Sequence, residues 1–522
     1  MTLETNSVIN ARRAKVDALR EAGTNPYPND FKPSHSASAL WDKYSPMSSE
    51  ELGELTDTVV IAGRAMFIRE FGKLAFVRLQ DETGQIQCAL SVDSLSKEVY
   101  DQFKTTCDVG DIVGVTGTMM RTQKGELSVK ATSYKMITKS VRPLPEKWHG
   151  LTDKETRYRQ RYVDLIVNKD TRDTFRKRCE IMTEIRRFYE NAGFLEVETP
   201  FLHHEAGGTT AKPFSTHHNA LDIPLNLRIA LELHLKRLVV GGFERVFEMA
   251  RVFRNEGISI KHNPEFTMLE SYTAYWDADD TMDFVEALIK HLCQKVFETT
   301  KLTYGDKEID FTGPWKRMSM KDALLTLGGA KEEDLKDKAS MLAFAKSCHV
   351  EIEDWQDEGH VFATLFEELC ESQLINPTYI YDHPLATSPL ARTHDDDRSI
   401  TQRAELFING WEIANMYSEL NDPADQAARF KAQVEEAAKG NDEAMPYDSD
   451  YIRALEHGMP PAGGIGIGID RLVMLLTNAE SIRDVIFFPL QKPESTGAGN
   501  VGGTAEESED TSTDAKKDES AA

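Results

Sequence analysis

Apolar residues recur at helical spacing over 6–22 (Val8, Ile9, Ala14, Val16, Leu19), behind the polar pair Asn6-Ser7 and ahead of Gly23 and the Pro26-Tyr27-Pro28 bend, which predicts a helix. From about 58 the period shortens. Runs rich in β-branched residues at 59–61, 74–79, 85–90, 112–116 and 126–134 are punctuated by Phe71-Gly72, Thr83-Gly84, Gly110-Asp111 and Lys124-Gly125, with a helical stretch at 94–103. Five short strands in that order suit an OB-type β-barrel. Pro143 and Pro145 read as a linker. Beyond it, 171–193 is an amphipathic helix ended by Asn191-Ala192-Gly193, and 194–200 is a strand that Pro200 must end or hold at an edge. Strands are predicted at 244–253, 267–274, 404–407 and 411–419, and helices at 278–299 and 361–374. The pattern is α+β: an N-terminal helical extension (1–57), a five-stranded OB-type barrel (58–147), and a larger domain (148–490) with an inserted helical region near 275–400. The last stretch, 491–522, is Gly, Ser, Thr, Ala and acids, too poor in apolar groups to order itself, and is expected to be a disordered acidic tail.

Composition narrows the class. A chain of 522 residues, 40% hydrophobic and 28% charged, is globular and long enough for two or three domains. No apolar run approaches the roughly 20 residues that span a bilayer, and the charged start lacks the apolar core of a secretory signal, so no membrane is expected and the expected address is cytoplasmic. Six scattered cysteines without a Cys-x-x-Cys pair fit reduced, packed thiols. The net charge of -25 argues against a general nucleic-acid binder, yet residues 59–147 hold 13 Lys/Arg against 10 Asp/Glu, a local +3 that suits an RNA contact.

Chemistry concentrates in three places. Phe253-Arg254-Asn255-Glu256 and Lys261-His262-Asn263-Pro264-Glu265-Phe266 lie on the loop between two predicted strands. They could offer guanidinium to phosphate, ring to base face, and acid and amide to base edge; a charged hairpin with a solvated tip reads the same way. Asn409-Gly410 is a two-residue hairpin turn that pairs Ile408 with Trp411 and Phe407 with Glu412. Glu405 and Glu412 then share one sheet face as diagonal neighbours about 7–8 Å apart, a natural place for magnesium, with Asn415, Tyr417 and Glu419 on the other face by alternation. Gly464, Gly466 and Gly468 leave one strand face bare ahead of Asp470-Arg471. Neither a dinucleotide fingerprint nor a phosphate loop can be drawn, so any ATP must be held by arginines and strands. In the barrel, Phe67, Phe76, Arg64, Arg69, Arg78 and Gln87 could stack and pair with single-stranded bases, although Phe76 alternates with Leu74 and could be core. The adjacent His203 and His204 lack metal-site spacing.

Taken in order, 194–200 after its long helix, Phe253-Arg254-Asn255-Glu256 with Asn263-Pro264-Glu265-Phe266, and Gly464-Ile465-Gly466-Ile467-Gly468-Ile469-Asp470-Arg471 resemble the three signatures of class II aminoacyl-tRNA synthetases. Within that class, Leu235-Lys236-Arg237-Leu238-Val239-Val240-Gly241-Gly242 and Tyr417-Ser418-Glu419-Leu420-Asn421-Asp422 are similar to the bacterial-type lysyl-tRNA synthetase family. The resemblance implies an antiparallel catalytic sheet flanked by helices, an OB domain reading the anticodon, a homodimer built on the first signature, and L-lysine, ATP, Mg2+ and tRNA(Lys) as partners.

It further implies that Arg254 bridges the ATP α-phosphate and the amino-acid carboxylate, that Glu256 and Asn263 meet ATP at the adenine side, that Phe266 and Arg471 sandwich the ring, and that His262 reaches the terminal phosphate. Arg254 and Arg471 would be the catalytic cations, and Glu405 and Glu412 would hold magnesium. Gly208, Glu232, Glu270, Tyr272, Asn415, Tyr417 and Glu419 match the lysine pocket, with Glu419 facing the side-chain ammonium; Arg64, Phe76 and Gln87 would contact anticodon bases. Two departures stand out: Tyr417 where many relatives carry phenylalanine, and His203-His204-Glu205-Ala206-Gly207-Gly208-Thr209-Thr210-Ala211 where Pro-Gly-Gly-Ala is common. An aspartate or asparagine enzyme shares this frame but would want a basic pocket, and a non-catalytic RNA-binding relative would have lost the ATP residues.

Overall fold

A computed structural model describes residues 3–145, 151–439 and 444–493. Most of the expected tail, from 494 onward, lies outside the described residues. The chain divides into two compact units, one ending at Arg172 and one beginning at Asp173.

In the first unit a helix at Leu3–Glu21 precedes five strands: β1 (Val59–Phe71), β2 (Leu74–Gln80), β3 (Gln85–Ser91), β4 (Ile112–Arg121) and β5 (Leu127–Thr138). They close a barrel in the order β1-β2-β3-β5-β4, antiparallel except for the β3–β5 pair. Alternation decides what fills it: Ala75, Val77 and Leu79 of β2 point inward with Val59, Ile61, Val113, Val115 and Val129, while Phe76 and Arg78 point outward. Gly117 lets β4 and β5 approach, since a Cβ there would lie 2.0 Å from the Lys130 carbonyl oxygen. The helix Lys97–Thr106 follows β3 and buries Tyr100 and Phe103 against the barrel.

The second unit is built on one large sheet. Its strands, in chain order, are β6 (Leu195–Glu196), β7 (Leu202–His203), β8 (Ser215–His218), β9 (Ile223–Leu227), β10 (Arg245–Phe253), β11 (Glu265–Ala274), β12 (Lys301–Tyr304), β13 (Lys307–Asp310), β14 (Lys316–Ser319), β15 (Thr378–Pro384), β16 (Ile400–Ile408), β17 (Trp411–Ser418) and β18 (Ala462–Gly468). Eight of them form the sheet β14-β15-β16-β17-β18-β11-β10-β6. It is antiparallel throughout its centre and parallel only in its edge pairs, β14–β15 and β10–β6. The region 275–400, expected to be an inserted helical region, therefore also supplies two sheet strands, β14 and β15. Pro200 falls outside the short edge strand β6, as its missing N–H requires.

One face of the sheet is covered by the helices Lys169–Asn191, Ala278–Leu292 and Ile469–Thr477. Their Ile181, Ile185, Tyr189, Val285, Leu288, Leu472 and Val473 pack on Phe247, Leu269, Leu406, Met416 and Ile465. With the apolar residues committed to that side, the polar alternates of the central strands open into a cavity on the other.

Candidate active site

The cavity, about 380 Å³, is lined by residues from β11, β16, β17 and β18, by the loop between β10 and β11, and by Gly208, Thr209 and Thr210. Strand β10 pairs with β11 from Arg245↔Thr273 to Phe253↔Glu265. Phe266, Met268, Glu270 and Tyr272 consequently share the cavity face while Leu269 joins the core. Arg254, the first residue after β10, is anchored by its backbone N–H to Pro264 O (2.9 Å) and by its Nε to Ile229 O (3.4 Å). Its guanidinium stands over the Phe266 ring at 5.2 Å. Asn263 donates to Glu265 O (2.6 Å), leaving its buried Oδ1 without a partner among the described residues. Glu256 and His262 are exposed on the same loop.

The hairpin β16–β17 has the expected turn: Asn409 and Gly410 have φ of 55° and 68°, and the pairs Ile408↔Trp411 and Phe407↔Glu412 form. Beyond Phe407 the register slips, so that Glu405 faces Asn415 rather than Ala414. This bulge, marked by the consecutive buried Ile413 and Ala414, overturns the strict alternation predicted from the turn. Glu412 and Asn415 emerge on the same side, and the acids and the pocket residues, expected on opposite faces, line one cavity. The result is a continuous polar chain. Arg471 donates to Glu412 O (3.1 Å) and lies 3.5 Å from its Oε2; Asn415 Nδ2 donates to Glu412; Arg403 Nε donates to Asn415 Oδ1 (3.0 Å); and Arg403 pairs with Glu405. Arg471 also contacts His262 Nε2 at 3.0 Å, tying the third signature to the loop of the second. Asp470 is structural: buried, it pairs with Arg178 (2.6 Å) and accepts from Thr267 N–H (2.6 Å).

At the opposite end the surroundings turn acidic and dry. Glu270 accepts from Leu231 N–H (3.0 Å) and the Tyr272 hydroxyl (3.1 Å), and burial, with help from Glu232, pushes its carboxyl up to about 7. Glu419, expected to face a substrate ammonium, does not line the cavity: it is 3% exposed and makes an ionic contact with Lys236 that lacks a directed hydrogen bond. Gly464 is what admits it, because a Cβ there would stand 1.8 Å from Glu419 Oε1; at Gly466 the nearest atom would be 3.8 Å away. Tyr417 lines the same end, with the Arg403 guanidinium 5.5 Å from its ring. Gly208, at φ +95°, brings the loop against Ala230 and Glu232 with no room for a side chain.

Several lining residues escaped the sequence reading. Arg403 had a signal, since it alternates with Glu405 on one strand. Lys236 had a weaker one, Glu232 four residues earlier on a helix, which ordinarily marks an exposed pair. Glu367, at about 6, and Glu371, at about 8, are raised first by burial and then by neighbouring carboxylates, Glu405 and Glu412 among them. This surplus of negative charge fits a cation at Glu405 and Glu412. No cluster of three or more His, Cys, Asp or Glu suited to a metal occurs among the described residues, and magnesium needs only one or two carboxylates when phosphates complete its shell. His203 accepts or donates at Pro200 O (2.9 Å) and stacks on His234, while His204 is exposed, so the pair diverges.

On the barrel, Phe76 lies outward with Phe71 edge-on at 6.2 Å, which removes it from the core. Cross-strand pairing sets Phe67, Arg78, Gln87 and Ser128 in one row, and Gln87 donates to Ser128 Oγ (2.9 Å). Arg64 does not join them: its guanidinium is committed to Gly110 O (2.8 Å) at the seam with β4.

Residues 153–492 match the family described as tRNA synthetases class II (D, K and N), and 59–137 match the OB-fold nucleic acid binding domain. The fold and the cavity are thus those of a class II tRNA synthetase. Lysine–tRNA ligases from Magnetococcus marinus and Enterococcus faecalis are 51% identical to the chain, each over 94% of it and 98% of their own length. That from Bacillus subtilis is 51% identical over 93% of the chain and 97% of its own length. The chain belongs to the lysine–tRNA ligase family.

Proposed function

We propose that this cavity joins L-lysine to ATP, giving lysyl-adenylate and pyrophosphate, and then passes the lysyl group to the terminal ribose of tRNA(Lys). The observation that carries the reading is the placement of Arg254, a single guanidinium between the buried acids Glu232 and Glu270 on one side and Glu412 and Arg471 on the other. An amino acid whose ammonium groups enter the acidic end leaves its carboxylate at Arg254, where the α-phosphate of an ATP stacked near Phe266 would also arrive.

No protein nucleophile is needed. A lysine carboxylate oxygen attacks the α-phosphorus, the new P–O bond forms as the bond to pyrophosphate breaks, and Arg254 and Arg471 neutralise the growing negative charge. Glu256 and Asn263 meet the adenine, and His262, already joined to Arg471, turns to the terminal phosphate. Glu405 and Glu412 would hold magnesium, which when bound neutralises phosphate charge. In the second step a ribose hydroxyl attacks the lysyl carbonyl, AMP leaves, and the hydroxyl proton is released.

Aspartate and asparagine enzymes share the family, but three carboxylates in the side-chain pocket oppose an anionic substrate. Phe76 and Gln87, on the outward barrel face, would stack on and pair with anticodon bases. The exposed Leu195, Phe201, Leu202 and Phe243 on and around the edge strand β6 support a second copy of the chain as partner. We place the reaction in the cytoplasm; no helix among the described residues is long and apolar enough to cross a membrane. An ATP–pyrophosphate exchange assay with each of the twenty amino acids tests the reading. Exchange with lysine alone is the expected result; exchange with aspartate, asparagine or none would overturn it.

A further inference from the structure

Lys236 lies in the helix Glu232–Val240, wholly buried, and its ammonium contacts both Glu232, on the same helix, and Glu419, just past the end of β17. Tyr272 presents its ring 5.8 Å away, and the buried Tyr451 hydroxyl nearby has no hydrogen-bond partner among the described residues. Glu270 completes the group, and Arg254 and Tyr417 face it from the cavity side. Nothing in the ATP chemistry uses this lysine, yet it is the one cation among three buried carboxylates.

We propose that Lys236 is a positioning residue that sets amino-acid selection: its ammonium permanently satisfies one of the three carboxylates and leaves room for two further positive charges, so that the pocket fits an amino acid with two ammonium groups. The inference rests on reading this pocket as the lysine site. Lysine brings an α-ammonium and an ε-ammonium, while its carboxylate is taken by Arg254, so the buried charges of pocket and ligand cancel. Because an unpaired buried charge is far costlier than a paired one, an amino acid with one ammonium leaves a carboxylate uncompensated and is rejected. The same bridge holds Glu232 and Glu419, carried by separate elements, in place before any ligand arrives.

A charge count of this kind has a consequence in pH. Protons compete with ligand ammonium for the carboxylates, and burial raises Glu270 to about 7 and Glu419 to about 8, with Lys236 pulling Glu419 down. Lysine KM should fall as pH rises through this range. Without the Lys236 charge the carboxyls hold their protons more tightly, so the fall moves to higher pH.

The test is lysine-dependent ATP–pyrophosphate exchange from pH 6.5 to 9 with wild type, Lys236→Met and Lys236→Arg. Expected for Lys236→Met are a lysine KM raised tenfold or more near pH 7.5, an ATP KM within about twofold of wild type, and a midpoint of the KM–pH curve displaced upward; Lys236→Arg should keep the wild-type midpoint. A raised lysine KM with an unmoved midpoint would reduce Lys236 to a packing role and overturn the proposal, as would an unchanged KM. Should Lys236→Met fail to fold, calorimetry of lysine binding to wild type in buffers of different ionisation enthalpy decides: proton release near pH 7.5 is expected, and none would refute the charge count. Failure of the lysine reading itself is distinguishable, since wild type would then show no lysine-dependent exchange at any pH.

Discussion

The two ends of the cavity solve opposite problems. At the amino-acid end Glu270, Glu419 and Lys236 are buried, fixed to backbone or to one another, and electrically counted before a ligand enters. At the nucleotide end Glu256 and His262 are exposed, and Arg471, Glu412, Asn415, Arg403 and Glu405 satisfy each other in a chain that must be partly redistributed when phosphates arrive. Desolvated charge discriminates steeply because any mismatch is left unpaired. Solvated charge attracts phosphate with little selectivity. Selection among amino acids is thus assigned to the dry end and electrostatic catalysis to the wet one, with Arg254 in contact with both.

Breaking the link should have the largest effect. Arg254→Ala is expected to lower the exchange rate by about 10²–10³-fold with an unchanged circular dichroism spectrum, the scale seen when one preorganised charge stabiliser is removed. Near-normal exchange would dissolve the distinction between the ends. Next, Glu419→Gln removes a charge from the dry end alone. Lysine KM should rise roughly ten- to a hundredfold, from about 1.5–3 kcal/mol for a charge-assisted contact, while ATP KM holds.

The acid limit probes the same asymmetry without mutation. Glu270 has its carboxyl raised to about 7, so it is protonated below that pH and cannot meet an ammonium. At pH 6 lysine KM should therefore be roughly tenfold above its value at pH 8, a factor of ten per unit, and a lysine KM flat over that span would place Glu270 outside the pocket. Two glycines sharpen the boundary. Gly464→Ala drives a methyl into Glu419 and should raise lysine KM by about as much as Glu419→Gln, whereas Gly466→Ala meets its first atom at 3.8 Å and should change it by less than about threefold. Equal effects of the two would mean that Glu419 is not what needs the bare strand. The smallest effect lies outside the cavity: Phe76→Ala on the barrel should raise tRNA KM about fivefold, from about 1 kcal/mol of lost base stacking, and leave amino-acid activation untouched. Slowed exchange in that variant would show that the substitution damages more than the barrel face.

Much of this arrangement was legible from local pattern. The strands of the barrel, the hairpin carrying Arg254 and the Asn409-Gly410 turn follow from period and turn chemistry, which depend on neighbours in sequence. Outward placement of Phe76 was one of two readings that alternation left open, and closure of the barrel around Val77 and Leu79 chose it. The bulge at Ile413-Ala414 was invisible, because its register slip depends on how β17 pairs with β16 and β18 together. Glu405, Glu412 and Asn415 were named correctly as lining residues but assigned to opposite faces for that reason.

The sequence by itself determined which groups the protein carries and, through short-range periodicity, which strands and turns present them; the three signatures were enough to name the chemistry. Tertiary structure alone decided which charges are dry. Glu232 and Lys236 read on paper as a surface pair four residues apart, and only the packing of their helix near Gly464 and Glu419 makes them part of a counted, buried cluster. The physical reason is that burial and cross-strand register are sums over contacts distant in the chain, whereas helix, strand and turn preferences are set within a few residues.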